Sequence, residues 1–192
     1  MAARFYVFQI LTGEEQRFIT LAHKALLRNK LEDTRIWWPR RKLTIRRRGR
    51  QIRTLAPLFP GYLIVEAPGM DAPRLRTIRS CTGFVRFLKT NQDIRPLEGE
   101  DLELVRHFLS FGEIVEQSKV SFDVNNRIVV QEGPLKGLEG RIIKVDKRKG
   151  RAKVQLDMYE NSFRIDLGFE MIAESSNEAD KTEQTGKTEK VS

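Results

Sequence analysis

Residues 4–11 place apolar side chains on both faces of an extended chain, Phe5 and Val7 on one and Tyr6, Phe8 and Ile10 on the other. That pattern predicts a strand that is central in its sheet, or one whose second face meets a partner. Thr12 and Glu15 have capping-box spacing, and Phe18, Leu21, Ala22, Ala25 and Leu26 then recur on one helical face, so a helix is expected over residues 13–29. Residues 34–38 and 42–55 favour strand with a tight basic turn at 47–50, and Phe59-Pro60-Gly61-Tyr62 leads into a strand at 62–66. A short helix at 71–80 with Leu75 and Ile78 inward, a strand at 83–89 and a helix at 99–110 follow. The last has Glu100, Asp101 and Glu103 at its start and Arg106 and His107 near its end, as the helix dipole prefers. This β-α-β-β-α-β-α order predicts an antiparallel sheet with helices packed on one side.

From Phe122 the pattern shortens to alternating strands at 127–131, 140–146, 151–156, 162–167 and 169–172, separated by turn residues at 132–137 and 147–150. Strands this short and closely spaced describe a small SH3-like β-barrel. The expectation is an α+β chain with a first domain at 1–112, a short polar linker at 113–121 that lets the second domain swing but not range far, and a barrel at 122–173. Residues 174–192 lack aromatics and periodicity and are expected to be disordered. A chain of 192 residues accommodates one medium and one small domain.

Charge sharpens this picture. The net charge is +9, and residues 1–119 carry 22 basic and 13 acidic side chains, so the excess basicity lies in the first domain. It points to polyanions or acidic protein surfaces as partners. Between residues 40 and 53, eight cations (Arg40, Arg41, Lys42, Arg46, Arg47, Arg48, Arg50 and Arg53) meet no acidic residue. Charged edge strands resist aggregation, but two or three cations would suffice for that. Leu43, Ile45 and Ile52 alternate with the cations, so the hairpin can bury one face and offer the other to RNA or DNA phosphates. Arg74, Arg76 and Arg79 on the short helix extend this candidate nucleic-acid surface, whereas Lys147, Arg148, Lys149 and Arg151 read as a solubilising turn.

Candidate chemistry is sparse. Cys81, His23 and His107 fall short of a zinc set and allow no internal disulfide, which suits a reducing compartment. Cys81 reads as a small core residue. The glycines at 133, 137 and 140 lack a Gly-Lys-Ser/Thr ending, and Pro134 removes an amide that a phosphate cradle needs. No paired acid–base constellation is present, so a non-enzymatic protein without cofactor or metal is expected. No apolar run approaches ~18 residues, which excludes a membrane-spanning helix and fits a cytoplasmic protein. The apolar stretch near the start, broken by Gln9, is read as a strand and not a signal. Phe59 precedes Pro-Gly in a turn, outside any strand alternation, and is expected to be an exposed aromatic anchor. Phe5, Tyr62 and Phe84 suit a core as well as an interface.

At these residues the chain resembles the NusG family of transcription elongation factors. Residues 4–9 stand where that family has a Trp-Tyr strand, residues 58–65 match its Phe-Pro-Gly-Tyr element, and residues 78–87 match its second-helix-to-strand corner. The segment 127–156, with Gly133, Pro134, Gly137 and Gly140, looks like a KOW motif. Together these cover most of residues 4–172 in the family's order. Two departures stand out: Phe5 occupies the Trp position, and the 78–87 corner is a residue or two shorter than in housekeeping members. The sequences at 83–88 and 133–140 look more like specialised antitermination paralogues of the LoaP type. The resemblance implies an NGN-like domain that docks on the clamp of RNA polymerase through an apolar patch, matched here by Phe5, Tyr6, Phe59, Tyr62 and Phe84. It implies suppression of pausing and termination at selected operons, with a general housekeeping role as the alternative. It further implies a barrel that recruits a NusE-type ribosomal protein or Rho, in a monomer. A ribosome-associated RNA-binding protein is the competing reading from another class.

Overall fold

The computed structural model describes residues 3–88, 94–158 and 161–172, with the backbone alone at Arg46 and Arg47. The tail expected to be disordered lies outside the described residues. The elements of the first part are β1 (Arg4–Ile10), α1 (Glu15–Arg28), β2 (Arg35–Trp37), β3 (Arg40–Arg47), β4 (Arg50–Pro57), β5 (Tyr62–Ala67), α2 (Ala72–Arg79), β6 (Phe84–Phe87) and α3 (Gly99–Leu109). They are followed by β7 (Ile114–Val115), β8 (Ser118–Phe122), β9 (Ile128–Glu132), β10 (Ile142–Asp146), β11 (Arg151–Met158) and β12 (Asn161–Met171). The chain is α+β, as the pattern predicts.

An antiparallel sheet of order β2-β5-β1-β6 carries the first domain. β1 lies inside it, which explains its two apolar faces. On one face Tyr6, Phe8 and Ile10 pack with Phe18, Ala22 and Leu26 of α1 and Ile78 of α2. Phe8 sits at the centre, with ring centroids 5.3 Å from Phe18 and 5.9 Å from Phe87. Helices on one side describe α1 and α2. The apolar side of α3 (Leu104, Val105, Phe108) instead joins Val7 and Ile64 from the opposite sheet face in a second cluster.

The entry to α1 differs from the expected capping box. The residue before the helix is Glu14, with no side-chain cap bond, and the Glu15 carboxylate is drawn elsewhere. It accepts from the Gly13 amide at 2.9 Å and from the Gly61 amide at 3.0 Å. Glu15 is 3% exposed, so this buried carboxylate ties the helix start to the Pro60-Gly61 turn. Gly61 also suits its place because φ is +76° and a Cβ would lie 2.5 Å from Thr12 Oγ1, so any side chain there would be strained. Glu15→Ala strands a buried amide and should lower unfolding free energy by about 2–3 kcal/mol, measured by urea denaturation; a loss below ~0.5 kcal/mol would show that the clamp is dispensable.

The second half forms a five-stranded curled sheet of order β10-β11-β12-β8-β9, antiparallel except for the β12–β8 pair. Val120, Val130, Ala152, Val154, Leu156 and Ile165 fill its interior. Two expectations change. The segment read as a polar linker contains β7 and the start of β8, and the two strands expected at 162–167 and 169–172 are the single strand β12. Ser118 is fully buried because its Oγ accepts from the Leu135 amide at 2.9 Å. Gly133, at φ +96°, closes on Ser118 so tightly that a Cβ would stand 2.7 Å from the Ser118 Cα.

Candidate polymerase and nucleic-acid interfaces

The five aromatic candidates divide between the two faces of the first sheet. Tyr6 is buried among the α1-facing residues, and Phe84 packs there too, with its ring 6.0 Å from Phe8 and 5.4 Å from Phe87. Both belong to the domain's own core. Phe5, Phe59 and Tyr62 belong to the opposite face, with Trp37 beside them. Trp37 is an aromatic that sequence reasoning did not single out. Its Nε1 donates to Glu66 at 2.8 Å, and the Arg35 guanidinium lies 3.4 Å from its ring centroid.

The expectation of an exposed Phe59 is overturned: it is 2% exposed. What covers it is the barrel. Phe163 of β12 meets Phe59 edge-on at 5.4 Å and Tyr62 at 5.1 Å, while Phe108 of α3 closes the other side of Phe59 at 6.0 Å. Nothing local to residues 58–62 signals this, because the covering ring lies about a hundred positions away.

Polar contacts hold the same closure. His107 Nε2 of α3 donates to the Pro134 carbonyl at 2.9 Å, Arg141 pairs with Glu100 at 3.4 Å, and Arg151 donates to the Thr44 carbonyl at 2.5 Å. β7 runs parallel to β3, pairing Ile114 with Arg40 and Val115 with Arg41. At Gly168 of β12 the barrel backbone passes β3 closely enough that a Cβ would lie 2.9 Å from the Lys42 carbonyl. Arg151, expected in a solubilising turn, is therefore part of the domain junction.

The basic hairpin forms as expected. Arg47 pairs with Arg50 around a two-residue turn in which Arg48 (φ +50°) and Gly49 (φ +78°) are both left-handed, the geometry that matches strand twist. Its eight cations are not equivalent. Arg41 is committed to the protein: it donates to the Pro57 and Leu58 carbonyls. Burial pushes its pKa down, Asp166 opposes that shift, and Arg151 adds to it. Arg40 stacks 4.9 Å from the Trp38 ring centroid and reaches Glu113 at 3.9 Å, and Lys42 is paired with Glu116. Arg48, Arg50 and Arg53 are exposed, with no hydrogen bond or ion pair among the described residues. Side chains of Arg46 and Arg47 lie outside the described set.

Of the helix cations, Arg74 is removed from the candidate surface. Its guanidinium binds Asp33 at 2.5–2.6 Å, Asp71 at 2.5 Å and Thr34 at 3.0 Å, and its pKa is raised, chiefly by the bond to Asp33. Only 11% of that side chain is exposed. Arg76 is exposed, and Arg79 lies 6.0 Å from the Phe87 ring centroid. Burial pushes the Cys81 thiol up, and its Sγ donates to the Thr77 carbonyl at 3.3 Å, an environment for packing and not for a nucleophile. Among the described residues no cluster of His, Cys, Asp and Glu could hold a metal ion, and no helix is long and apolar enough to cross a membrane.

The family described as "Transcription termination factor nusG" matches residues 3–106. Among curated relatives, the transcription termination/antitermination protein NusG of Escherichia coli K12 is 23% identical over 173 residues, covering 88% of this chain and 94% of its own. That of Pasteurella multocida Pm70 is 22% identical over 176 residues, covering 90% and 96%. A solved structure of domain interaction in Thermotoga maritima NusG shares the fold at 20% identity and a TM-score of 0.58, over 88% of this chain and 94% of that one. With the family match spanning more than half of its length, the chain belongs to the NusG family of transcription termination and antitermination factors.

Proposed function

We propose that this elongation factor docks on the clamp region of RNA polymerase through Phe5, Phe59 and Tyr62, and that it does so only after its barrel has moved aside. NusG-family proteins bind RNA polymerase, and the docking surface inferred here is the sheet face those three residues share. One observation carries the reading: α1 and α2 occupy the opposite face, and this one is closed by α3 together with a separately folded sheet through Phe163. An aromatic face covered by a detachable lid has the composition of a binding hot spot held in reserve. Tyr6 and Phe84 support that face from behind.

Docking would hold the clamp closed and so disfavour pausing and termination, with no chemistry by the factor itself. The released barrel would be free for a second partner, a NusE-type ribosomal protein or Rho. Because the closed arrangement withholds the docking face, a cytoplasmic monomer of this kind suits action at selected operons better than general service on every transcript. The Thermotoga maritima NusG structure is likewise one of domain interaction.

The test is capture of core polymerase by the full chain, with and without nuclease. Retention after nuclease is expected, and its loss would favour an RNA-binding protein without polymerase contact. Within a chain already opened by Phe163→Asp, adding Phe59→Ala should weaken polymerase binding by about 2 kcal/mol, roughly 30-fold. An unchanged affinity would remove Phe59 from the site.

A further inference from the structure

The closed arrangement creates a cleft that neither domain has alone. One wall is the β3–β4 hairpin, the other the β10–β11 turn of the barrel. Two adjoining cavities of about 370 and 400 Å³ lie between them. Thr44, Gln51 and Arg53 line the hairpin side and Arg148 and Lys149 the barrel side, with Ile45 as an apolar strip.

The cations of this cleft are unevenly used. Lys147 is held by Asn126 at 2.8 Å and lies 3.7 Å from the Phe122 ring centroid, and Lys149 reaches Asp146 at 3.5 Å. Arg53 and Arg148, one from each domain, make no hydrogen bond or ion pair among the described residues, although Arg148 is close enough to Asp146 to help the Lys149 amide hold that carboxyl's pKa down. Two carboxylates stand nearby: Glu116 pairs with Lys42, while Glu170 lines the second cavity and the Lys119 beside it is bound to Glu132. In that lining Arg53, Lys147, Arg148 and Lys149 outnumber Glu170, so the cleft carries net positive charge drawn from both walls. Cavities of this size are at the lower end of ligand sites and admit a nucleotide or two, not a duplex. The amide of Gln51 and the hydroxyl of Thr44 can hydrogen-bond an unpaired base, and Ile45 offers it apolar contact.

We propose that the barrel turn and the hairpin together hold the sugar–phosphate backbone of a single nucleic-acid strand, at a site that exists only while the two domains are closed. The proposal rests on the reading of the hairpin as a nucleic-acid contact and adds the barrel as its second half. Strand binding and polymerase docking then favour opposite arrangements of the same two domains.

Anisotropy titrations of labelled single-stranded RNA and DNA oligonucleotides into the full chain, over a range of salt, test it. Arg148→Ala with Lys149→Ala should flatten the slope of log affinity against log salt by about 0.7–0.9, the value for the one phosphate contact left to Arg148 while Lys149 is held by Asp146. Phe163→Ala keeps every cation but loosens the closure, and should lower both affinity and slope. In that background the Arg148/Lys149 change should cost almost nothing further. The RNA and DNA arms decide which strand is the ligand. If the turn variant and Phe163→Ala both bind as wild type while hairpin variants lose affinity, the hairpin acts alone and the composite site is wrong. If an acidic peptide binds at the turn and neither oligonucleotide does, the cleft belongs to a protein and the proposal is likewise overturned.

Discussion

Phe163→Asp should raise the affinity of the full chain for core RNA polymerase about tenfold. In the closed form the half-buried Phe163 packs edge-on against both Phe59 and Tyr62, and an Asp there loses both ring contacts and part of its hydration. An open form would place the same residue in solvent, so the substitution should shift the equilibrium toward opening by about 1–2 kcal/mol. A partner that binds only the open form sees its affinity divided by the open fraction, and raising that fraction toward one removes the penalty. The closed junction brings Arg41 and Arg151 close together, with Asp166 opposing their like-charge interaction. Neither Nε of those two arginines finds a protein acceptor among the described residues. Surface plasmon resonance against immobilised polymerase reads the outcome. Equal or weaker binding by a variant with native circular dichroism would show that this face is not where polymerase docks.

The second large effect concerns the hairpin. Replacing Arg46, Arg47, Arg48 and Arg50 with Ala should flatten the salt dependence of nucleic-acid binding by about two to four units in log–log slope, since each phosphate contact contributes about 0.7–0.9. Arg48 and Arg50 are exposed around the left-handed turn, where a phosphate can reach them, while the cations nearer the junction are engaged with carbonyls, Glu113 and Glu116. Binding of the same variant to polymerase free of nucleic acid should change much less. An unaltered slope would make the hairpin a solvated sheet edge, and an equal loss of polymerase binding would make it a protein-docking element.

Local periodicity carried most of the first domain into view. The two faces of β1, the apolar stripe of α1 and the basic two-residue turn were all legible, because each is set by residues within one element. Contacts between distant segments were not. Glu15 had the spacing of a cap, yet a turn 46 residues later offered its amide and won. Ser118 looked like linker, because a serine buried by a glycine's close approach is indistinguishable in sequence from one in water. Gly168 looked like a strand break, whereas it is the point where β12 passes the β3 backbone. In the candidate site, Phe59 and Tyr62 were identified as aromatics of interest, but their cover was hidden in Phe163. Arg41 and Arg74 counted as free cations until the carbonyls and carboxylates that hold them were in place.

Because β7 is stitched to β3 and β8 already belongs to the barrel, only Glu116 and Gln117 separate the two anchored strands. Two residues reach about 7 Å. A barrel that let go would thus remain on a short leash, facing its former seat at an effective concentration in the millimolar range. Any protein recruited by the barrel must outcompete a rival that never diffuses away, and its apparent affinity reports that contest. Dilution leaves the contest unchanged. Only a ligand for one arrangement, or a change within the seam, can decide it.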